Sequence, residues 1–162
     1  MKAREGVVDL LNQHLTIELT AINQYFLASE MCASWGFNRL HARFRSLSLE
    51  EMQDAQKLIG HILYLEGLPN LQRLNQVKVG QDVPETLQAG LESERAAVDF
   101  LRGAIDHCAR VSDYTTRAMF EEMIREEEEH VDWFETQLDA MRRVGLENYL
   151  SQQLYPGGAA SD

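Results

Sequence analysis

A chain of 162 residues is long enough for one domain with a substantial core and too short for a second catalytic domain. Its formal net charge of −11 argues against a nucleic-acid binder, because phosphate contacts require a basic face. The 2 cysteines form no CxxC motif, and the chain has neither an apolar leader nor an apolar run of membrane length, so we predict a cytoplasmic protein.

The first half of the chain predicts a helical hairpin. Only 3 prolines interrupt it, and apolar residues recur at helical spacing, which indicates an all-α fold. The first helix is expected from about residue 4 to Ser34. The second begins at the capping residue Asn38 and ends at Gly67, just before Pro69. Because their connection is short, the two helices should pack as antiparallel neighbours.

The second half predicts another hairpin after a long connection. A polar stretch over residues 68–83 is long enough to cross the length of a bundle. Pro84 opens the third helix, and Ser112 or Asp113 caps the fourth, which extends to about Val144. Two hairpins joined by one long crossover are typical of a ferritin-like bundle.

A last amphipathic segment, Leu146–Leu154, predicts a short fifth helix. We therefore expect one ferritin-like domain over residues 1–156 and a disordered tail over 157–162. The predicted fold class is an all-α, ferritin-like four-helix bundle with a long crossover between the second and third helices.

Each of the four long helices places an acidic residue where its apolar stripe should continue. In the first helix, Glu18 lies on the stripe of Leu15 and Ile22. The corresponding residues of the other helices are Glu51 and Asp54, Glu94, and Glu127 with His130. Because burying one unpaired carboxylate costs on the order of several kcal/mol, four such helices around one core need a cation. Carboxylates with one imidazole suit iron or manganese.

The ligand types follow the pattern of di-iron helical bundles, in which two helices each supply Glu-x-x-His and the other two each supply one Glu. Glu127 and His130 form one such pair, since residues three apart share a helix face. Glu51 and Asp54 stand in place of the second pair. The chain thus matches five of the six ligand types in this pattern, and we predict a dinuclear carboxylate site.

Longer motifs resemble the bacterioferritin family, the haem-containing ferritins of bacteria, over nearly the whole chain. They are ELTAINQYFL (Glu18–Leu27), ILYLEGLPNLQ (Ile62–Gln72) and EEEEHVDWFETQLD (Glu126–Asp139). The resemblance implies iron storage and detoxification: a 24-subunit hollow shell oxidises Fe(II) at an intrasubunit di-iron centre and stores the ferric mineral. It also implies a small ferredoxin as electron donor. The family's ferroxidase ligands fall on Glu18, Glu51, Glu94, Glu127 and His130.

Asp54 stands where the family has a histidine. Aspartate can bind iron, but it is shorter and adds a negative charge. Three outcomes are open: Asp54 binds directly, binds through water, or leaves one iron loosely held. The main alternative function is therefore a haem-binding shell subunit with impaired ferroxidase activity that co-assembles with an active paralogue. A di-iron oxidase acting on a small molecule and a purely structural bundle are further alternatives.

Met52 is the predicted haem ligand. Adjacent residues differ by about 100° around a helix, so Met52 points away from the metal site and toward a neighbouring subunit. By resemblance, Met52 from two subunits binds one haem b across a two-fold axis, lined by Leu19, Asn23 and Phe26.

The remaining polar core candidates are given structural roles. Tyr25 lies on the same stripe as Glu18 and is expected to pack in the core, where it could donate a hydrogen bond near the metals. The other histidines form no spaced set, and we predict that they are surface residues or structurally satisfied: His14, His41, His61 and His107.

Overall fold

The computed structural model describes residues 1–155, and over this range it contains five helices and no strand. The helices are α1 (Val7–Ser34), α2 (Asn38–Tyr64), α3 (Val83–Arg110), α4 (Tyr114–Val144) and α5 (Leu146–Ser151). α1 packs along α2, α3 packs along α4, α1 also contacts α3, and α5 packs against α4. The predicted all-α, ferritin-like four-helix bundle with a short fifth helix is confirmed. The predicted tail, 157–162, lies outside the described residues, and the domain boundary stays a prediction.

The helix ends differ from the predicted ones by a few residues, for local reasons. α1 begins at Val7 rather than near residue 4, because Gly6 takes a left-handed conformation with φ of 74°. Of the two predicted caps of α4, Asp113 is the one that acts, since its side chain accepts a hydrogen bond from the Thr116 backbone N–H at 2.9 Å. α5 ends at Ser151, three residues earlier than expected.

The connection between α2 and α3, residues 65–82, runs along α1. Asn12 near the start of α1 accepts a hydrogen bond from the Asn70 backbone N–H at 2.8 Å. Gln24, about three turns further along α1, accepts one from the Lys78 backbone N–H at 3.2 Å. The predicted crossover is therefore fastened to α1 by side chains along its path.

The apolar core consists of two clusters, one toward each end of the bundle. On α1 the first cluster includes Leu11 and Leu15, and the second begins at Tyr25. The other three long helices show the same interruption, and on every helix the predicted acidic residues lie in the gap. The fold thus places a polar layer between two apolar ones. None of the described helices is long and apolar enough to cross a membrane.

Candidate metal centre

Four ligand-bearing side chains from three helices converge in the polar layer. His130 Nδ1 lies 3.2 Å from Glu51 Oε1, 3.4 Å from Glu127 Oε2 and 3.7 Å from Glu94 Oε2. One ligand atom from each of the four lies within 4.8 Å of the others, and all four residues are buried. This is the spacing of donors that could surround one cation.

A second group of three buried residues adjoins the first. It joins His14 and Glu18 of α1 to Glu127 of α4, again with ligand atoms within 4.8 Å of one another. Because Glu127 belongs to both groups, two cations held by them would be neighbours. The structure therefore brings together five of the predicted ligands, Glu18, Glu51, Glu94, Glu127 and His130, with one contribution or more from each long helix.

The buried polar atoms of these residues support a cation. Within the described chain, both carboxylate oxygens of Glu18 and of Glu51, Oε2 of Glu127 and Nδ1 of His130 have no hydrogen-bond partner. Native proteins rarely leave such groups unpaired, because each costs about 1–3 kcal/mol. Carboxylate oxygens with imidazole nitrogen and no thiolate are a donor set that fits iron or manganese.

The environment keeps several of these carboxyls protonated in the metal-free protein. Burial raises the pKa of Glu18 to about 8. Burial and the nearby carboxylates raise the pKa of Glu51 and of Glu127 well above the ordinary range. A metal that binds here must displace these protons.

Glu94 and His130 form the charged pair of the centre. Burial favours the neutral form of each, but the mutual contacts outweigh it: Glu127, Glu51 and Glu94 raise the pKa of His130. His130 and Glu127 likewise lower the pKa of Glu94, helped by Tyr25. The Tyr25 hydroxyl donates a hydrogen bond to Glu94 Oε1, as its position on the stripe suggested.

Glu50, which was not among the predicted site residues, orients His130. Glu50 Oε2 lies 2.9 Å from His130 Nε2, on the side of the ring that faces away from the other glutamates. Arg43 donates to Glu50 Oε1 at 2.9 Å and the Ser46 hydroxyl at 2.7 Å. A carboxylate behind a ligating histidine fixes the ring and its tautomer. Glu50 is off the helix stripe, so the stripe pattern could not identify it.

Asp54 is buried close to the centre but has a different partner. Its Oδ1 lies 2.8 Å from Lys57 Nζ, which also lies 3.5 Å from Glu126 and 3.7 Å from Glu122. Asp54 belongs to neither of the two ligand groups found among residues 1–155. Ligation by Asp54 stays a prediction.

The prediction that His14 is a surface or structurally satisfied residue is wrong. His14 is fully buried, and neither ring nitrogen has a hydrogen-bond partner in the described chain. The ring stacks on Phe100 at 5.7 Å between centroids and meets Phe120 edge-on at 5.9 Å. Nε2 lies 2.8 Å from Glu18 Oε1, but burial lowers the pKa of His14 to about 4, so this contact is not an ion pair. The four-residue spacing to Glu18 was the available signal.

The other histidines agree with the prediction. His41 contacts the Ser29 hydroxyl at 2.9 Å, and His61 contacts the Thr116 hydroxyl at 2.8 Å. His107 contacts a backbone carbonyl oxygen at 2.8 Å. Each therefore has a hydrogen-bonding role in the fold.

A cavity of about 150 Å³ is lined in part by the four glutamates. It lies between α1 and α3, and the crossover covers it with Asn75, Gln76 and Lys78. The fold therefore leaves space beside the ligands that small molecules and ions could enter.

The predicted haem residues lie apart from the metal centre. Met52 of α2 is 51% exposed and Phe26 of α1 is 56% exposed. Asn23 is also exposed, and Leu19 is partly buried one turn before it on the same side of α1. The Ser48 hydroxyl donates to the Ile22 carbonyl at 2.9 Å, which holds these segments of α1 and α2 side by side.

The fold and the site together define a ferritin-like four-helix bundle whose core could hold metal ions. In agreement, the family model described as "Ferritin-like domain" matches residues 8–144. The chain is 44% identical to a bacterioferritin from Mycolicibacterium paratuberculosis, over 94% of this chain and 96% of that protein. It is 40% identical to the bacterioferritin of Brucella melitensis over 92% of each chain, and 39% identical to that of Rhodobacter capsulatus over 99% of each. The chain belongs to the bacterioferritin family.

Proposed function

We propose that this protein stores iron and detoxifies it by oxidising Fe(II) to Fe(III) at a dinuclear site and retaining the ferric mineral inside a hollow shell of 24 subunits. The observation that carries the proposal is the convergence of four buried glutamates from four helices. Many of their oxygens have no hydrogen-bond partner within the described chain. Two cations would satisfy these atoms, and Fe(II) is the substrate that the donor set and the family favour.

The reaction needs little from the protein beyond binding, charge and proton handling. Each Fe(II) gives up one electron, so a pair of Fe(II) ions reduces one O₂, which takes up two protons to become hydrogen peroxide. Alternatively, the pair reduces one hydrogen peroxide, which takes up two protons to give two waters. Anionic carboxylates favour the more highly charged Fe(III). Glu18, Glu51 and Glu127 release protons when Fe(II) binds, because their pKa values are raised in the metal-free site.

The surrounding residues hold the ligands in place. Tyr25 fixes Glu94 through its hydroxyl, and Glu50 fixes the His130 ring from behind. The two apolar clusters on either side exclude bulk water, which strengthens the electrostatic interactions within the polar layer.

A haem b shared by two subunits is part of the proposal. Met52 of each subunit would bind the haem iron through its thioether, with Leu19, Asn23 and Phe26 lining the group. Bound there, haem supplies a path for electrons that a small ferredoxin would deliver to release stored iron. The exposed thioether of Met52 and the exposed ring of Phe26 fit this role. Met52→Leu should abolish haem retention, measured by visible absorbance, without changing Fe(II) stoichiometry.

The test of the main proposal is anaerobic Fe(II) titration of the metal-free shell, followed by oxygen. We expect saturation near two Fe(II) per chain and fast growth of ferric absorbance with oxygen. Glu94→Gln should reduce both, whereas Glu92→Gln, on the exposed surface of α3, is the matched control and should change neither. Saturation far below one Fe(II) per chain in the unaltered protein would refute the proposal.

One observation favours the alternative, a haem-binding shell subunit with impaired ferroxidase activity that assembles with an active paralogous bacterioferritin. Asp54 pairs with Lys57 instead of joining either ligand group within residues 1–155. This alternative predicts slow oxidation in the homomeric shell and a gain with Asp54→His. A particle mass near that of a dimer would instead favour an oxidase acting on a small organic molecule.

A further inference from the structure

We propose that His14 is a metal ligand and supplies the imidazole that position 54 lacks. The inference rests on the proposed dinuclear site and concerns the ion on the α1 side of it. It assigns that ion to His14, Glu18 and Glu127, and it leaves Asp54 with Lys57.

The distance between His14 and Glu18 is that of two ligands of one ion. Their Nε2 and Oε1 atoms are 2.8 Å apart, yet the contact lacks the geometry of a hydrogen bond. Two donors bound at right angles to one metal, each about 2.1 Å from it, are about 3.0 Å apart. The spacing of four residues on α1 places both side chains on one helix face.

A purely structural histidine would not be left in this state. A core histidine normally donates from one ring nitrogen and accepts at the other, but neither nitrogen of His14 does so within the described chain. Phe100 and Phe120 hold the ring in one orientation and offer no polar atom to it. A cation bound at Nε2 would satisfy the atom that points into the centre.

His14 lies at about the same height along the bundle as position 54, where the family has a histidine. Glu18 on α1 and Glu51 on α2 both contribute to the centre, and the two helices pack as antiparallel neighbours. Moving four residues back along α1 shifts the position by about 6 Å, and moving three residues forward along α2 shifts it by about 4.5 Å in the same direction. His14 on α1 and Asp54 on α2 therefore lie at nearly the same height along the bundle axis.

The experiment is anaerobic Co(II) titration of the metal-free shell, followed through the visible absorbance of bound Co(II). The unaltered protein should bind two Co(II) per chain, and His14→Leu should keep one and bind the second roughly 100-fold more weakly or worse, since even outer contacts of ligands change affinity by about 10–100-fold. Asp54→Asn, the matched control at the same level, should keep both sites.

Folding of the variant is checked by thermal unfolding of the metal-free proteins. His14→Leu should unfold at the same temperature as the unaltered protein or higher, because it removes two unpaired buried nitrogens. X-ray absorption of the unaltered protein loaded with two Co(II) gives a second measurement that needs no variant. It should show one imidazole per cobalt if His14 and His130 both bind, and about half that if His130 binds alone.

The outcomes separate this inference from the proposed function. If the unaltered protein binds two Co(II) and His14→Leu also binds two with the same spectrum, the inference is overturned while the dinuclear site stands. Loss of one site in Asp54→Asn but not in His14→Leu overturns it in favour of Asp54. If the unaltered protein binds no Co(II) and no Fe(II), both the inference and the proposed function are wrong.

Discussion

The contact between Gly90 and Phe134 provides a sensitive test of how tightly α3 and α4 pack beside the metal centre. A Cβ atom added to Gly90 would lie 2.4 Å from two atoms of the Phe134 ring. The ring is fully buried and has little freedom to move, since its centroid lies 4.9 Å from that of Trp133 and 5.9 Å from that of Tyr25. We therefore expect Gly90→Ala to force the ring against its neighbours.

Gly103→Ala is the matched control, because it lies on the same helix and its Cβ would meet nothing within 4 Å. Replacing a helical glycine by alanine stabilises by about 0.8–1.0 kcal/mol through backbone propensity. Gly90→Ala gains the same amount but loses about 1–3 kcal/mol to overpacking. At about 2–4 °C per kcal/mol for a chain of this size, Gly90→Ala should unfold about 2–12 °C below Gly103→Ala.

The assay is thermal unfolding of both metal-free variants by circular dichroism at equal concentration, with sedimentation to verify the same assembly. A shift of the Phe134 ring would also displace Tyr25, whose hydroxyl donates a hydrogen bond to Glu94. Gly90→Ala should therefore weaken Fe(II) binding, whereas Gly103→Ala should not. If the two variants unfold within a degree of each other, the close packing of Gly90 on Phe134 is not the constraint described above.

The remaining predictions concern ionisable groups. Tyr25→Phe removes the donor to Glu94 and should lower the free energy of unfolding by about 1–3 kcal/mol, measured by denaturant titration; an unchanged value would show that the hydroxyl does not stabilise Glu94. The pKa of Glu18 is raised to about 8, so Fe(II) binding at neutral pH should release protons and strengthen as pH rises to about 8, measured in a weakly buffered titration; proton-free, pH-independent binding would contradict this. The stability of the metal-free protein should depend on pH in the opposite direction. Glu18 keeps its proton in the folded protein, whereas in the unfolded chain it loses the proton above about pH 4.5. This group therefore makes folding less favourable as the pH rises toward 8. Burial raises the pKa of Cys32 to about 12, so its thiol should resist alkylation at about pH 8 until the protein is unfolded, and rapid alkylation of the folded protein would refute its burial.

The sequence could predict the ligands that lie on the apolar stripe of each helix. Glu18, Glu94 and Glu127 interrupt an apolar stripe, and an interrupted stripe places the acid in the core whatever the details of packing. The long crossover followed from the length of its polar segment and from the two helix ends that it must join. Helix ends were less accurate, because local features such as the left-handed Gly6 determine them.

The stripe failed at His14 for a geometric reason. A stripe of alternating three- and four-residue steps describes a narrow seam, whereas a helix in a globular core buries a wider face that includes flanking positions. His14 lies one residue before Leu15 on such a flanking position and is nevertheless fully buried. The pairing of Asp54 with Lys57 could not be predicted either, because the stripe shows which way a side chain points but not which group it contacts.

The charge balance of the polar layer explains why histidine at position 14 and aspartate at position 54 are compatible. Two Fe(II) ions in the proposed site would carry four positive charges, and the four glutamates Glu18, Glu51, Glu94 and Glu127 would match them when all are ionised. A fifth carboxylate bound to the ions would leave a net negative charge between two apolar clusters, which is unfavourable in a medium that screens it poorly. Lys57 instead pairs with Asp54 and neutralises its charge at the edge of the layer, and His14, as the proposed ligand, would add a nitrogen without adding charge. Asp54 and His14 together therefore preserve the balance that a histidine on α2 would give.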